Sequence, residues 1–183
     1  HAKAMTVRLS AKSRWTDEDI HQIRVLCKKL RAFVHLGRGL VPEKQLKYWN
    51  QQLRDAARSL TGAREATILG GWMDAAAANA EPGLARRIGV LRGQLASQFP
   101  RRLPTGAKAT VLQTLHNVAN DWPNDWGKIA RGPEAALRRM RRKASAAGKR
   151  ALHGGDIEDW HDWRRRVKYE AYQLEWIALA RGR

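Results

Sequence analysis

Apolar residues recur at steps of three and four along nearly the whole chain, and β-branched alternation never runs for five residues. That period is the one an α-helix needs to bury a stripe, so the pattern predicts an all-α fold. The spacing predicts helices at about 16–38, 43–61, 64–80, 83–98, 107–121, 133–152 and 156–180, with a short turn over 124–130. Their ends have physical causes. Gly37 and Gly39 followed by Pro42 make a glycine exit and a proline restart, and Pro82-Gly83, Pro100 to Gly106, Pro123 and Gly132-Pro133 punctuate the rest. Thr16 ahead of Asp17, Glu18 and Asp19 sets a cap and three acids at the positive end of the first helix, and Asp156, Glu158 and Asp159 do the same for the last. Pro100 to Lys108 is the expected boundary between an N-terminal half of about 14–99 and a C-terminal half of about 107–183.

A chain that is 43 % hydrophobic and carries eight Trp has the means to bury a core, which argues against disorder. Its 35 Lys and Arg against 17 Asp and Glu leave a formal net charge of +18. Self-repulsion of that size opposes compaction, so an anionic partner explains the excess better than stability does. Nucleic acid, an acidic membrane surface and a phosphate polymer all fit that description. Cys27 is the sole cysteine, which rules out an internal disulfide and a thiolate metal cage and points to a reducing cytoplasm. With no apolar run of eighteen and no leader pattern, neither a membrane span nor a signal peptide is expected. The opening His1-Ala2-Lys3-Ala4 before Met5 reads as an appended remnant and takes no part in the expected site.

The first helix carries the sharpest pattern. At about 100° per residue, Ile23, Leu26, Cys27, Leu30, Phe33 and Val34 share one face. His21, Arg24, Lys28, Arg31, His35 and Arg38 share another, a band about 26 Å long at 1.5 Å per residue. Between Ile20 and Val41 there is no acid to intersperse those charges. Like charges at three- and four-residue spacing repel by a few tenths of a kcal/mol per pair, roughly, on an exposed helix. The stripe therefore reads as a polyanion-binding edge rather than a solvated face. It returns in WHDWRRRVKYEAY, where His161, Arg164 and Lys168 repeat the spacing of His21, Arg24 and Lys28 and Arg165 lies beside them. Trp160, Trp163, Val167 and Leu174 are the apolar stripe expected to dock that second helix.

These residues resemble the CHAD family, named for conserved histidines in an α-helical domain. His21-Gln22-Ile23-Arg24-Val25 with Lys28-Lys29-Leu30-Arg31 resembles its N-terminal signature, and His161, Arg164, Lys168 and Tyr172 resemble its C-terminal one. Leu60-Thr61-Gly62-Ala63-Arg64-Glu65 is similar to its short turn-Arg-acid motif. The resemblance implies two pseudo-symmetric antiparallel helical bundles packed around a central basic channel. It also implies inorganic polyphosphate as ligand and no established catalysis, and it suggests a cytoplasmic setting beside polyphosphate granules. The binding set it implies is His21, Arg24, Lys28, Lys29, Arg31, Arg64, His161, Arg164 and Lys168. Thr67, Tyr169 and Ala171 depart from the family pattern, which weakens the expected C-terminal half of the channel.

Arg138, Arg141 and Arg142 lie on the most basic predicted helix, whose expected buried stripe is Leu137, Met140, Ala144, Ala147 and Ala151. Arg141 borders that stripe and would point along a groove. His161-Asp162 is similar to the paired ligands of metal-dependent phosphohydrolases, but His116 and Asp121 do not share a helical face with each other, so no metal, cofactor or catalytic set is expected. The Trp residues read as core and caps rather than base-stacking platforms. An RNA- or DNA-binding helical protein is the alternative to polyphosphate binding.

Overall fold

The computed structural model describes residues 2–98, 102–122 and 132–180. Eight α-helices stand among them: α1 (Ala2–Ser10), α2 (Asp17–Leu36), α3 (Glu43–Ser59), α4 (Thr61–Ala78), α5 (Pro82–Gln98), α6 (Ala107–Asn120), α7 (Gly132–Leu152) and α8 (Ile157–Ala180). The described residues form no strand, as the periodicity predicts, and none of these helices is long and apolar enough to cross a membrane. The short turn expected over 124–130 lies outside the described residues. One helix that the periodicity did not predict, α1, begins within the opening His1 to Ala4 and runs on to Ser10, burying Leu9 completely.

The chain divides into two compact units, one of His1–Val25 with Asp55–Ala119, the other of Leu26–Arg54 with Asn120–Arg183. The division runs within α2, within α3 and before the last residue of α6.

In the first unit, Ala107, Val111, Leu115 and Val118 form the buried stripe of α6, and Leu9, Trp15, Ile20 and Ile23 are buried with them. The entry to α2 is a capping box. The Asp19 N–H donates to Thr16 Oγ1, and the Thr16 N–H donates back to the Asp19 carboxylate. The Trp15 indole donates to the Leu9 carbonyl (3.2 Å), and the Lys12 ammonium sits 2.7 Å from Asp19, fixing the chain ahead of the helix. At the far end of the unit α4 and α5 form a hairpin tied by Arg92 and Asp74 at 3.0 Å.

In the second unit α2 is buried nearly all round: Leu30, Ala32, Val34 and Leu36 are each at most 4 % exposed. Phe33 meets Trp122 and Trp176 at centroid distances of 4.4 and 4.8 Å, and Trp49 meets Trp122 at 5.1 Å. Gly37 is required by this cluster, since a Cβ there would stand 2.9 Å from the Trp122 ring. The expected core role of Trp thus holds for Trp15, Trp49, Trp122 and Trp176, while Trp72 (69 % exposed) and Trp160 (45 %) lie outside it. Trp126 lies outside the described residues.

The α7–α8 hairpin closes on small residues. Ala144, Ala147, Gly148 and Ala151 let α8 approach, and a Cβ on Gly148 would sit 2.9 Å from the Trp163 indole nitrogen. Gly154 turns the chain at φ 89°, and Asp156 caps α8 by accepting from the Asp159 N–H at 3.0 Å. The docking face of α8 is not the expected one. Val167 and Leu174, like Trp160, are exposed, whereas Gln173 is fully buried and Asp162, Arg166, Tyr169 and Trp176 lie part-buried on its side of the helix. The helix is rotated by about 130° from the orientation its apolar stripe predicts. The cause is visible in its partners: Gln173 and Trp176 donate to the Ala32 and Lys29 carbonyls of α2, bonds an apolar face could not make.

Candidate functional site

The rotation of α8 turns polar side chains toward a cavity of about 230 Å³ within the second unit. Arg31, His35 and Arg38 reach it from α2 and its exit, at steps of four and three. Ala136, Arg139, Met140 and Lys143 reach it from α7, and Arg165, Arg166, Tyr169 and Gln173 from α8. Among the described residues that line it, six side chains are cations and none is a carboxylate.

The cations differ in how far they are already engaged. Arg31 donates through Nε to Asn50 Oδ1 (3.0 Å) and stacks 5.9 Å from the Tyr169 ring centre. Arg38 has Glu43 at 3.8 Å, too long for a good hydrogen bond. Arg165 and Arg166 share Asp162, at 2.5 and 2.8 Å, and Arg150 also reaches it at 3.1 Å. Asp162 is held below the usual carboxylate range by hydrogen bonds from Arg166 and then Arg165, against the opposing effect of burial. Arg139 and Lys143 have no hydrogen-bonded or ion-paired carboxylate among the described residues.

Two neutral groups sit among these charges. Burial, then repulsion from Arg38, Arg31 and Lys143, pushes His35 down to about 4, with Glu43 opposing weakly. Burial raises the Tyr169 phenol in spite of Arg31, Arg165 and Arg54. At neutral pH the imidazole is therefore uncharged and the phenol keeps its proton. Gln173 gives its amide to the Ala32 carbonyl, leaving its own buried Oε1 without a partner among the described residues. An arrangement of this kind can grip an anion by bidentate guanidinium contacts around a floor of neutral hydrogen-bonding groups.

Of the residues singled out in the sequence, the cavity gathers Arg31, His35, Arg38 and Arg165. The others lie elsewhere. Arg24 donates to the Ala57 carbonyl (2.7 Å) and Thr61 Oγ1 (2.6 Å), holding the α3–α4 junction of the first unit, where His21 and Arg64 are also found, both half-buried. Lys29 pairs with Glu175 at 2.5 Å and lies 5.8 Å from the Tyr172 ring centre, and Lys28 is exposed. Arg138 is 4.0 Å from Glu134, and Arg141 is bound to Glu170 at 2.9 Å. With Arg142 and Lys149 these two arginines form a basic patch on one face of α7. His161, Arg164 and Lys168 are exposed on α8, away from the cavity. No cluster of three or more metal-ligating side chains occurs among the described residues, and the Asp162 carboxylate is occupied by arginines.

Arg139, Lys143 and Arg166 were missed in the sequence. Arg139 and Lys143 follow Ala136 by three and seven residues, so they flank the small-residue stripe of α7 on the side opposite Arg141. Periodicity identifies both flanks of a stripe without choosing between them. Arg166 stands three residues before Tyr169, off the apolar stripe of Trp160, Trp163, Val167 and Leu174 that was expected to dock the helix.

The family model for the CHAD domain matches residues 4–182, nearly the whole chain. No curated protein and no solved structure gives a significant match.

Proposed function

We propose that this chain, which belongs to the CHAD family, binds inorganic polyphosphate without acting on it chemically, and that the basic cavity of the second unit is part of the binding site. The observation that carries the reading is six cationic side chains converging on one cavity, with no carboxylate among the described residues that line it. Such a lining is electrostatically frustrated when empty and relieved by a ligand that brings several negative charges close together. A phosphate polymer does so at every unit, and guanidinium groups match its paired oxygens. The family supports the same ligand class. Duplex DNA asks instead for a projecting helix or strand pair that fits a groove. The finer elements of the reading, a pseudo-symmetric pair of bundles and a role beside cytoplasmic polyphosphate granules, rest on the HxxRxxxK repeat and on the family.

The test is a competition. Labelled polyphosphate bound at moderate salt is challenged with tRNA, duplex DNA and orthophosphate at matched phosphate concentration. Unlabelled polyphosphate alone is expected to displace it efficiently; equal displacement by tRNA or DNA transfers the site to nucleic acid. Arg139→Ala with Lys143→Ala is the variant to compare, because neither side chain is tied to a carboxylate among the described residues. The pair should weaken binding by roughly tenfold or more and lower the slope of log affinity against log salt by about one to two. Unchanged affinity would remove the cavity from the site. Arg24→Ala is a poorer probe, since it also strips hydrogen bonds from the α3–α4 junction.

A further inference from the structure

We propose that an anion entering the basic cavity draws a proton onto His35, so that occupancy of the site is coupled to proton uptake. The proposal rests on the polyphosphate reading and adds to it a regulation by pH. His35 lines the cavity four residues after Arg31 and three before Arg38, half-buried, with its ring 6.0 Å from that of Tyr169. The groups facing it come from every neighbouring element. Arg31 and Arg38 belong to α2 and its exit, and Lys143 and Arg139 reach in from α7. Arg165, Arg166 and the neutral Tyr169 face it from α8, and the Glu43 carboxylate of α3 opposes the cations.

In the empty cavity both burial and these cations work against an imidazolium, which is why His35 titrates near 4 and is neutral at pH 7. A phosphate chain reverses the second of those influences. Its charges neutralise the field of the guanidinium and ammonium groups, and its oxygens accept from both ring nitrogens only when both carry hydrogen. The imidazole pKa in the occupied site therefore lies above its value in the empty one. Affinity must rise as pH falls through the pKa of the occupied state, and it must level off below about 4, where His35 is charged in both states. Arginine and lysine stay protonated across that range and contribute no step of their own. His21 and His161, the histidines of the repeated pattern, lie outside the cavity.

The experiment is titration calorimetry of the full chain with long-chain polyphosphate at pH 6, repeated in buffers of different ionisation enthalpy. Long chains keep proton exchange at the chain ends negligible. The dependence of the observed heat on buffer gives the protons taken up per site. A positive uptake is expected in the unaltered chain, retained in His21→Gln and His161→Gln and lost in His35→Gln, with affinity increasing severalfold from pH 8 to pH 6. Heat independent of buffer, with polyphosphate still bound, overturns the coupling and leaves the binding function standing. Failure of polyphosphate to bind overturns the functional reading instead. Full uptake in a folded His35→Gln variant assigns the proton elsewhere and also overturns the proposal. Where that variant does not fold, ¹⁵N shifts of the His35 ring in the unaltered chain decide: they must move to the imidazolium values on adding polyphosphate at pH 6, and a ring that stays neutral refutes the coupling.

Discussion

Asp19 shows how much of this molecule depends on single polar side chains at helix ends. Burial by itself raises its carboxyl, but the Lys12 ammonium and the two Thr16 hydrogen bonds outweigh that and hold it at about 2. The folded value lies below the ordinary 3.8, so its stabilisation is complete above that value and is lost as pH falls toward 2. Thermal melts from pH 6 to 2 should fall steeply at the acid end, and Asp19→Asn should flatten that limb. At neutral pH the same change should cost about 1 kcal/mol, the usual worth of a cap. Equal acid sensitivity of the two proteins would place the weak point elsewhere. Arg31 and Arg38 illustrate the other side of residue-scale reasoning. Their regular steps from His35 were legible because α2 has no acid between Ile20 and Val41 to mask the pattern. Arg139 and Lys143 were not, because nothing on α7 itself says which flank of Ala144 and Ala147 meets a neighbour.

At the scale of an element, the α7–α8 hairpin is set by what is missing from it. Gly148 leaves room for the Trp163 indole, and Ala144, Ala147 and Ala151 keep the two helices close. Gly148→Leu should overpack this contact and lower stability by about 1–3 kcal/mol in denaturant unfolding. A neutral result would mean that α8 can shift along α7. The existence of both helices, and the capping of α8 by Asp156, could be read from periodicity and punctuation. The face α8 presents could not. Trp160, Val167 and Leu174 outweigh Asp162, Tyr169 and Gln173 in any hydropathy pattern, but hydropathy does not register the α2 carbonyls that Gln173 and Trp176 meet, nor a cavity where polar groups are wanted. Likewise α1, nine residues long and with Val7 exposed, is too short to show a periodic apolar face, and it buries Leu9.

For the whole molecule the dominant quantity is the net charge of +18, which makes the folded chain self-repelling and salt-sensitive. A ligand that binds the native chain stabilises it by mass action, by about 2.7 kcal/mol at a hundred times its Kd. Polyphosphate should thus raise the melting temperature at low salt, and the gain should shrink as salt weakens binding; a gain that persists undiminished in high salt would argue against an electrostatic site. One further consequence follows from Cys27. It is the only thiol in the chain and is 0 % exposed on α2, in the unit that also holds the basic cavity. A thiol reagent can modify it only during moments when that helix is transiently uncovered, so the rate of modification counts spontaneous openings of the native state. Any anion that occupies the cavity and closes those openings would slow the chemistry at a sulfur it never touches.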